Sequence, residues 1–129
     1  MIPIEDMDIY LEAKYKENKE KEIRKTMNKI YIVDFCNNEG ESWDGVACPT
    51  LELAQKKAKE HIERIFNGKD IIVDESSYAT IKYYKHKLLE NIDKYKERKE
   101  AYPEEQYVNY VYSIGVALRI GEFPLIFNL

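Results

Sequence analysis

The chain has 129 residues, 44% hydrophobic and 34% charged, with 20 basic against 24 acidic side chains and a net charge of −4. That length favours one domain able to bury roughly two thirds of its unfolded surface, and the near-balanced charge, five Gly, four Pro and two Cys exclude low-complexity, collagen-like and disulfide-scaffold classes. Residues 1–10 lack the basic and apolar regions of a secretory signal, and the apolar run 114–118 ends at Arg119, far short of the ~20 residues of a membrane span, so the expectation is a cytoplasmic protein with reduced thiols.

The first predicted element is a helix over 4–26. Its apolar stripe is Ile4, Met7, Leu11, Tyr15, Ile23 and Met27, interrupted by the charged stretch 16–22. Glu12–Lys16, Glu17–Lys21 and Glu20–Arg24 are i,i+4 pairs in the favourable order. Met27 stands directly before a strand pattern, so the chain divides into a helical extension, 1–26, and a single α+β domain, 27–129. Residues 29–36 are β-branched and aromatic on both faces, which predicts an internal strand. After turn chemistry at 37–42, a shorter strand is expected over 43–48. A hairpin centred near Ser42 would make Cys36 and Cys48 cross-strand neighbours.

Thr50 is the expected N-cap of a helix over 50–66, with the stripe Leu51, Ala54, Ala58, Ile62 and Ile65 and a left-handed C-cap at Gly68. A short strand follows near 70–74. Ser76 and Ser77 then cap a helix over 77–100 with the stripe Ile81, Tyr84, Leu88, Ile92 and Tyr95, stopped by Pro103. Period-2 alternation covers 106–120. Strands rarely exceed ~10 residues, so a bend or bulge at Gly115, or a hairpin turning at 113–115, is expected. Residues 121–124 read as a turn and 125–127 as a final edge strand. The order of elements places the chain in the α+β class, with a small antiparallel or mixed sheet packed by helices.

Chemistry-bearing clusters are sparse. Cys36, Cys48, His61 and His86 lie at spacings that match no usual zinc pattern. No nucleophile elbow, zinc-protease helix or phosphate-cradling loop is present. Neither a metal nor a cofactor is expected. Asp34 interrupts an apolar strand face, which puts it either in a cleft or at the sheet margin.

Two surface candidates remain. Residues 29–50 hold one Lys against four acids, and Trp43 with Asp44 follows the acidic turn of Glu39 and Glu41, a pattern suited to a partner with basic groups. Residues 76–100 hold seven bases against four acids; on one helix Tyr83 would lie beside Lys87 and Lys94, an arrangement that could stack on a base or anchor a protein.

The run from Lys29 to Asp34, the acidic turn, the Trp-Asp-Gly-Val of 43–46 and the Thr-Leu-Glu-Leu-Ala of 50–54 resemble small uncharacterised strand-hairpin-helix accessory proteins of bacteriophages and mobile elements of low-GC bacteria. The resemblance covers about residues 29–66. It implies an accessory protein that binds and blocks a host or defence protein.

The leading expectation is therefore a non-enzymatic protein-binding module that homo-oligomerises through the N-terminal helix or the long C-terminal strand. The alternative is nucleic-acid binding through the basic, Tyr-containing face of 77–100. A third is a small enzyme using Asp34 or the two thiols.

Overall fold

The both-faced apolar pattern after Asn28 forms strand β1 (Lys29–Asn37) in the computed structural model, which describes residues 29–125. β2 (Ser42–Cys48) returns antiparallel to it. Asn37 closes the turn: its Oδ1 accepts from the N–H groups of Glu39 and Glu41, both at 3.0 Å. On its other side β1 pairs with β6 (Val116–Pro124), and β6 pairs with β5 (Tyr107–Ser113). The antiparallel sheet has the order β2-β1-β6-β5, so β1 is internal, as two apolar faces require.

One face of this sheet carries helices. Helix α1 (Leu51–Phe66) starts where Leu53 N–H donates to Thr50 Oγ1 at 3.2 Å. It buries Ala54, Ala58, Ile62 and Phe66 against Val33, Phe35, Leu118 and Ile120 of the sheet. Its left-handed C-cap is Asn67 (φ 48°) rather than Gly68, which follows with φ 78°. Asn tolerates that region better than other non-glycine residues, so both positions can turn the chain. Helices α2 (Lys85–Asp93) and α3 (Tyr95–Ala101) add Leu88, Ile92 and Tyr95 to the same core. Gln55 Nε2 donates to Ile92 O at 3.0 Å and ties α1 to α2.

The fold is α+β, and several boundaries differ from the sequence reading. The expected helix over 77–100 is three elements. Thr80–Tyr84 is strand β4, paired with β3 (Ile71–Glu75). Ser76 caps a tight turn instead of a helix: Ala79 N–H donates to Ser76 Oγ, and Ser76 N–H to Ala79 O. Five β-branched, aromatic or long side chains after that turn favour the ladder. The helix begins only at Lys85 and is interrupted at Lys94 (φ −91°, ψ 18°). Of the expected stripe, Leu88, Ile92 and Tyr95 are buried, whereas Ile81 and Tyr84 are exposed.

The alternation over 106–120 is a hairpin turning at Ile114–Gly115, where Gly115 has φ 75°. The expected turn over 121–124 is instead the end of β6, because β1 offers partners out to Lys29 opposite Pro124. The two cysteines are not neighbours. Cys48 lies opposite Tyr31 and Cys36 opposite Ser42, because the turn is centred before Ser42 and Asp44 (φ 53°) with Gly45 forms a bulge. The 4–26 helix and the 1–26 extension lie outside the described residues, as does the 125–127 strand apart from Leu125. Among the described residues no helix is long and apolar enough to cross a membrane.

Candidate protein-interaction surface

Asp34 does not open a cleft. It faces Arg119 across β1 and β6, and the guanidinium donates two hydrogen bonds to its carboxylate, at 2.7 and 3.0 Å. The guanidinium lies 4.1 Å over the Tyr107 ring. The interruption in the apolar face is thus filled by an in-register ion pair, whose geometry is the strong bidentate kind. Among the described residues no three His, Cys, Asp or Glu side chains gather as a metal-binding group. His61 packs edge-on against Phe35 at 5.1 Å, and Arg64 Nη2 lies 3.1 Å from its Nδ1. Burial, then the Arg64 charge, lower its pKa from the ordinary value. His86 is exposed beside Tyr84.

The acidic candidates do come together. Glu39, Glu41, Trp43 and Asp44 are all exposed at one end of the β1–β2 hairpin. Trp43 is 40% exposed and stacks on Phe35 with ring centroids 6.1 Å apart. The basic candidates are divided between a strand and a helix. Tyr83 lies in β4, half-buried against the core, while Lys87 is exposed on α2. Lys94 sits at the α2–α3 break and reaches Glu90 at 2.9 Å. The single helical face that was to unite them is absent because the helix starts after Tyr83.

The β3–β4 arm is the feature that the helical reading concealed. It exposes Val73, Ile81 and Tyr84, and Tyr78 at its tip is 97% exposed. A lone two-stranded hairpin is marginal in water. This one is held by Ile72 and Tyr83, which pack on the core, and by Asp74. Asp74 Oδ2 accepts from Ser113 Oγ and from Ile114 N–H, both at 2.9 Å, tying the arm to the β5–β6 turn. That tether brings Val111 and Ile114, also exposed, to the same end of the molecule. The signal was in the sequence: Ile71-Ile72-Val73 and Thr80-Ile81-Lys82-Tyr83-Tyr84 flank a Ser-Ser-containing turn.

Beside β5 runs a groove of about 670 Å³. Its floor is Tyr107–Val111, and its wall is one face of α2–α3, carrying Leu88, Asn91, Lys94 and Arg98. Comparisons with protein-family models, with curated proteins and with solved structures find no match to this chain.

Proposed function

We propose that the chain is a non-enzymatic protein-binding accessory module working in the cytoplasm. One observation carries the reading: Val73, Tyr78, Ile81, Tyr84, Val111 and Ile114 gather on the tethered arm and the strand and turn beside it, all exposed. Val73 and Tyr84 share the outward face of the ribbon, and Ile81 lies on the other face beside Asp74 and the β5–β6 turn. So many large apolar side chains exposed on one small arm favour a surface used by a partner. The acidic hairpin end around Trp43 offers a second contact for basic groups. The resemblance of residues 29–66 to phage and mobile-element accessory proteins favours a partner among host or defence proteins, which the module would block.

The nucleic-acid reading has less support, since Tyr83 is half-buried against the core rather than beside Lys87 and Lys94, and Lys94 is paired with Glu90. The enzyme reading also has less, since Asp34 is taken up by Arg119. The test is retention of proteins from nuclease-treated host lysate by the full chain and by the arm variant Val73→Ser with Tyr78→Ser. One protein retained by the unaltered chain and lost from the variant supports the reading. Retention that disappears with nuclease, or that the variant leaves intact, counts against it.

A further inference from the structure

Among the described residues β5 is an end strand of the sheet, and its hydrogen-bonding pattern identifies which backbone groups it leaves without a described partner. Glu122 N–H donates to Gln106 O at 2.9 Å, so the even-numbered positions of this strand turn toward β6. Strand geometry alternates, and Tyr107, Asn109 and Val111 therefore direct their N–H and C=O groups away from the sheet, along the groove floor.

Natural end strands are usually blunted by Lys, Pro, a bulge or inward charge. β2, the other end strand, is blunted in this way by the Asp44–Gly45 bulge and an acidic turn. β5 reads Tyr-Val-Asn-Tyr-Val-Tyr-Ser, with no charge and no proline, and its one register shift, between Val111 and Ser113, falls at the turn end and leaves Tyr107–Val111 regular. The ionisable groups lining the groove also cancel: Lys94 and Arg98 stand against Glu97 and Glu105, and Arg98 holds Glu105 by two hydrogen bonds, at 2.8 and 3.1 Å. A phosphate backbone would find no net positive charge there.

We infer that the open edge of β5 takes an extended, uncharged segment of a partner protein as a fifth strand of the sheet, lodged between β5 and the α2–α3 wall. The inference rests on the protein-binding reading above and names the manner of binding. A new strand would sit ~4.8 Å from β5, donating to and accepting from Tyr107, Asn109 and Val111. Its alternate side chains would enter the groove against Leu88 and Val108. The wall argues against a second copy as occupant. Two β5 strands paired about a two-fold axis would bring two helical layers together on one face, and helices need 8–10 Å between axes.

The test uses the full chain, immobilised and challenged with a randomised dodecapeptide library. Enriched peptides with alternating apolar residues are expected. They should slow hydrogen exchange at the amides of Tyr107, Asn109 and Val111, and Asn109→Pro should weaken them about tenfold, since proline deletes an outward N–H without touching the β6 ladder. Val111→Lys, a charge on the same edge, should do likewise should the proline variant fail to fold. The inference is overturned by an absence of enrichment, by peptides that bind both variants undiminished, or by protection confined to other amides. A dimer in sedimentation that Asn109→Pro dissociates makes the occupant a second copy and also overturns it. Failure of the protein-binding reading shows separately, in lysate retention by the unaltered chain; a retained protein indifferent to Asn109→Pro leaves that reading standing while this inference falls.

Discussion

Asp34 and Arg119 stand directly opposite each other on β1 and β6, joined by two hydrogen bonds on the sheet face turned away from the helices. Asp34 is only 8% exposed, so the two hydrogen bonds from Arg119 replace water at its carboxylate. Removing one member of such a pair costs more than removing both, because the remaining charge stays desolvated. Arg119→Leu is expected to lower stability by about 3 kcal/mol, and adding Asp34→Leu should restore most of it. Urea denaturation of the two variants checks this. A single variant no weaker than the double one would show that water already solvates Asp34.

Much of the fold was legible because burial follows period. The stripe in Leu51–Phe66 specifies one helix and its inward face, and the alternation over 106–120 specifies strand with one inward face, carried on through the turn of a hairpin. The stretch 76–84 was not legible in the same way. Ile81 and Tyr84 fit a helical step of three, while Thr80–Tyr84 is equally a run of strand formers, and only pairing with β3 decides between them. The exposed apolar positions were obscured by the same ambiguity. Once Tyr83 is drawn into the core as a strand residue, the exposed positions become Tyr78, Ile81 and Tyr84. The Asp34 partnership needs the β1–β6 register, which no local pattern contains.

Glu122 gives stability an acid limit. Burial pushes its pKa up, but hydrogen bonds and attraction from Lys29 and Lys99, at 3.0 and 3.1 Å, outweigh this and leave it below the ordinary value of 4.5. A carboxyl whose folded pKa is depressed contributes stability that is present above its unfolded pKa and lost as pH falls through the folded value. The unaltered chain should therefore lose stability as pH drops below about 4.5, and Glu122→Gln should flatten that part of the profile while lowering stability at neutral pH. Urea midpoints across the acid range test the slope; parallel profiles for the two proteins would contradict it.

The thiols should react unequally. Cys36 is half-exposed, whereas Cys48 is fully buried opposite Tyr31 and burial pushes its pKa up. Since the thiolate is the reactive form, iodoacetamide at neutral pH should label Cys36 at least about tenfold faster than Cys48, with equal labelling after denaturation. Peptide mapping by mass spectrometry reads both sites. Mild oxidation should yield no intramolecular disulfide, because the register separates the two side chains along β1.

Tyr95 supplies a test of polar burial. It is 2% exposed, and its hydroxyl has no hydrogen-bond partner among the described residues. Its ring packs edge-on against Tyr31 at 6.2 Å. A desolvated hydroxyl without a partner opposes folding, so Tyr95→Phe should hold or raise stability, by up to about 1 kcal/mol. Tyr95→Ala should cost about 3–5 kcal/mol through the lost ring. Thermal or urea unfolding of the pair separates the two contributions. A clear loss in Tyr95→Phe would mean that the oxygen is bonded after all.

Gly121 is the position where the sheet cannot accept a side chain. It lies in β6 opposite Tyr107 and opposite Ile32. A Cβ there would meet Tyr107 Cε1 and Phe123 Cε2, each at 2.7 Å. Those rings form an edge-to-face pair, 5.7 Å between centroids, that closes over the glycine, and Tyr107 also supports the Arg119 guanidinium. Strand interiors normally disfavour glycine, and here the two aromatic rings occupy the space a side chain would take. Gly121→Ala should therefore destabilise by about 1–3 kcal/mol through overpacking, despite its better strand propensity. Combining it with Tyr107→Ser should recover part of the loss by opening that space. Double-mutant-cycle analysis of urea unfolding measures the coupling. Additive effects would mean that the alanine methyl is accommodated without moving Tyr107.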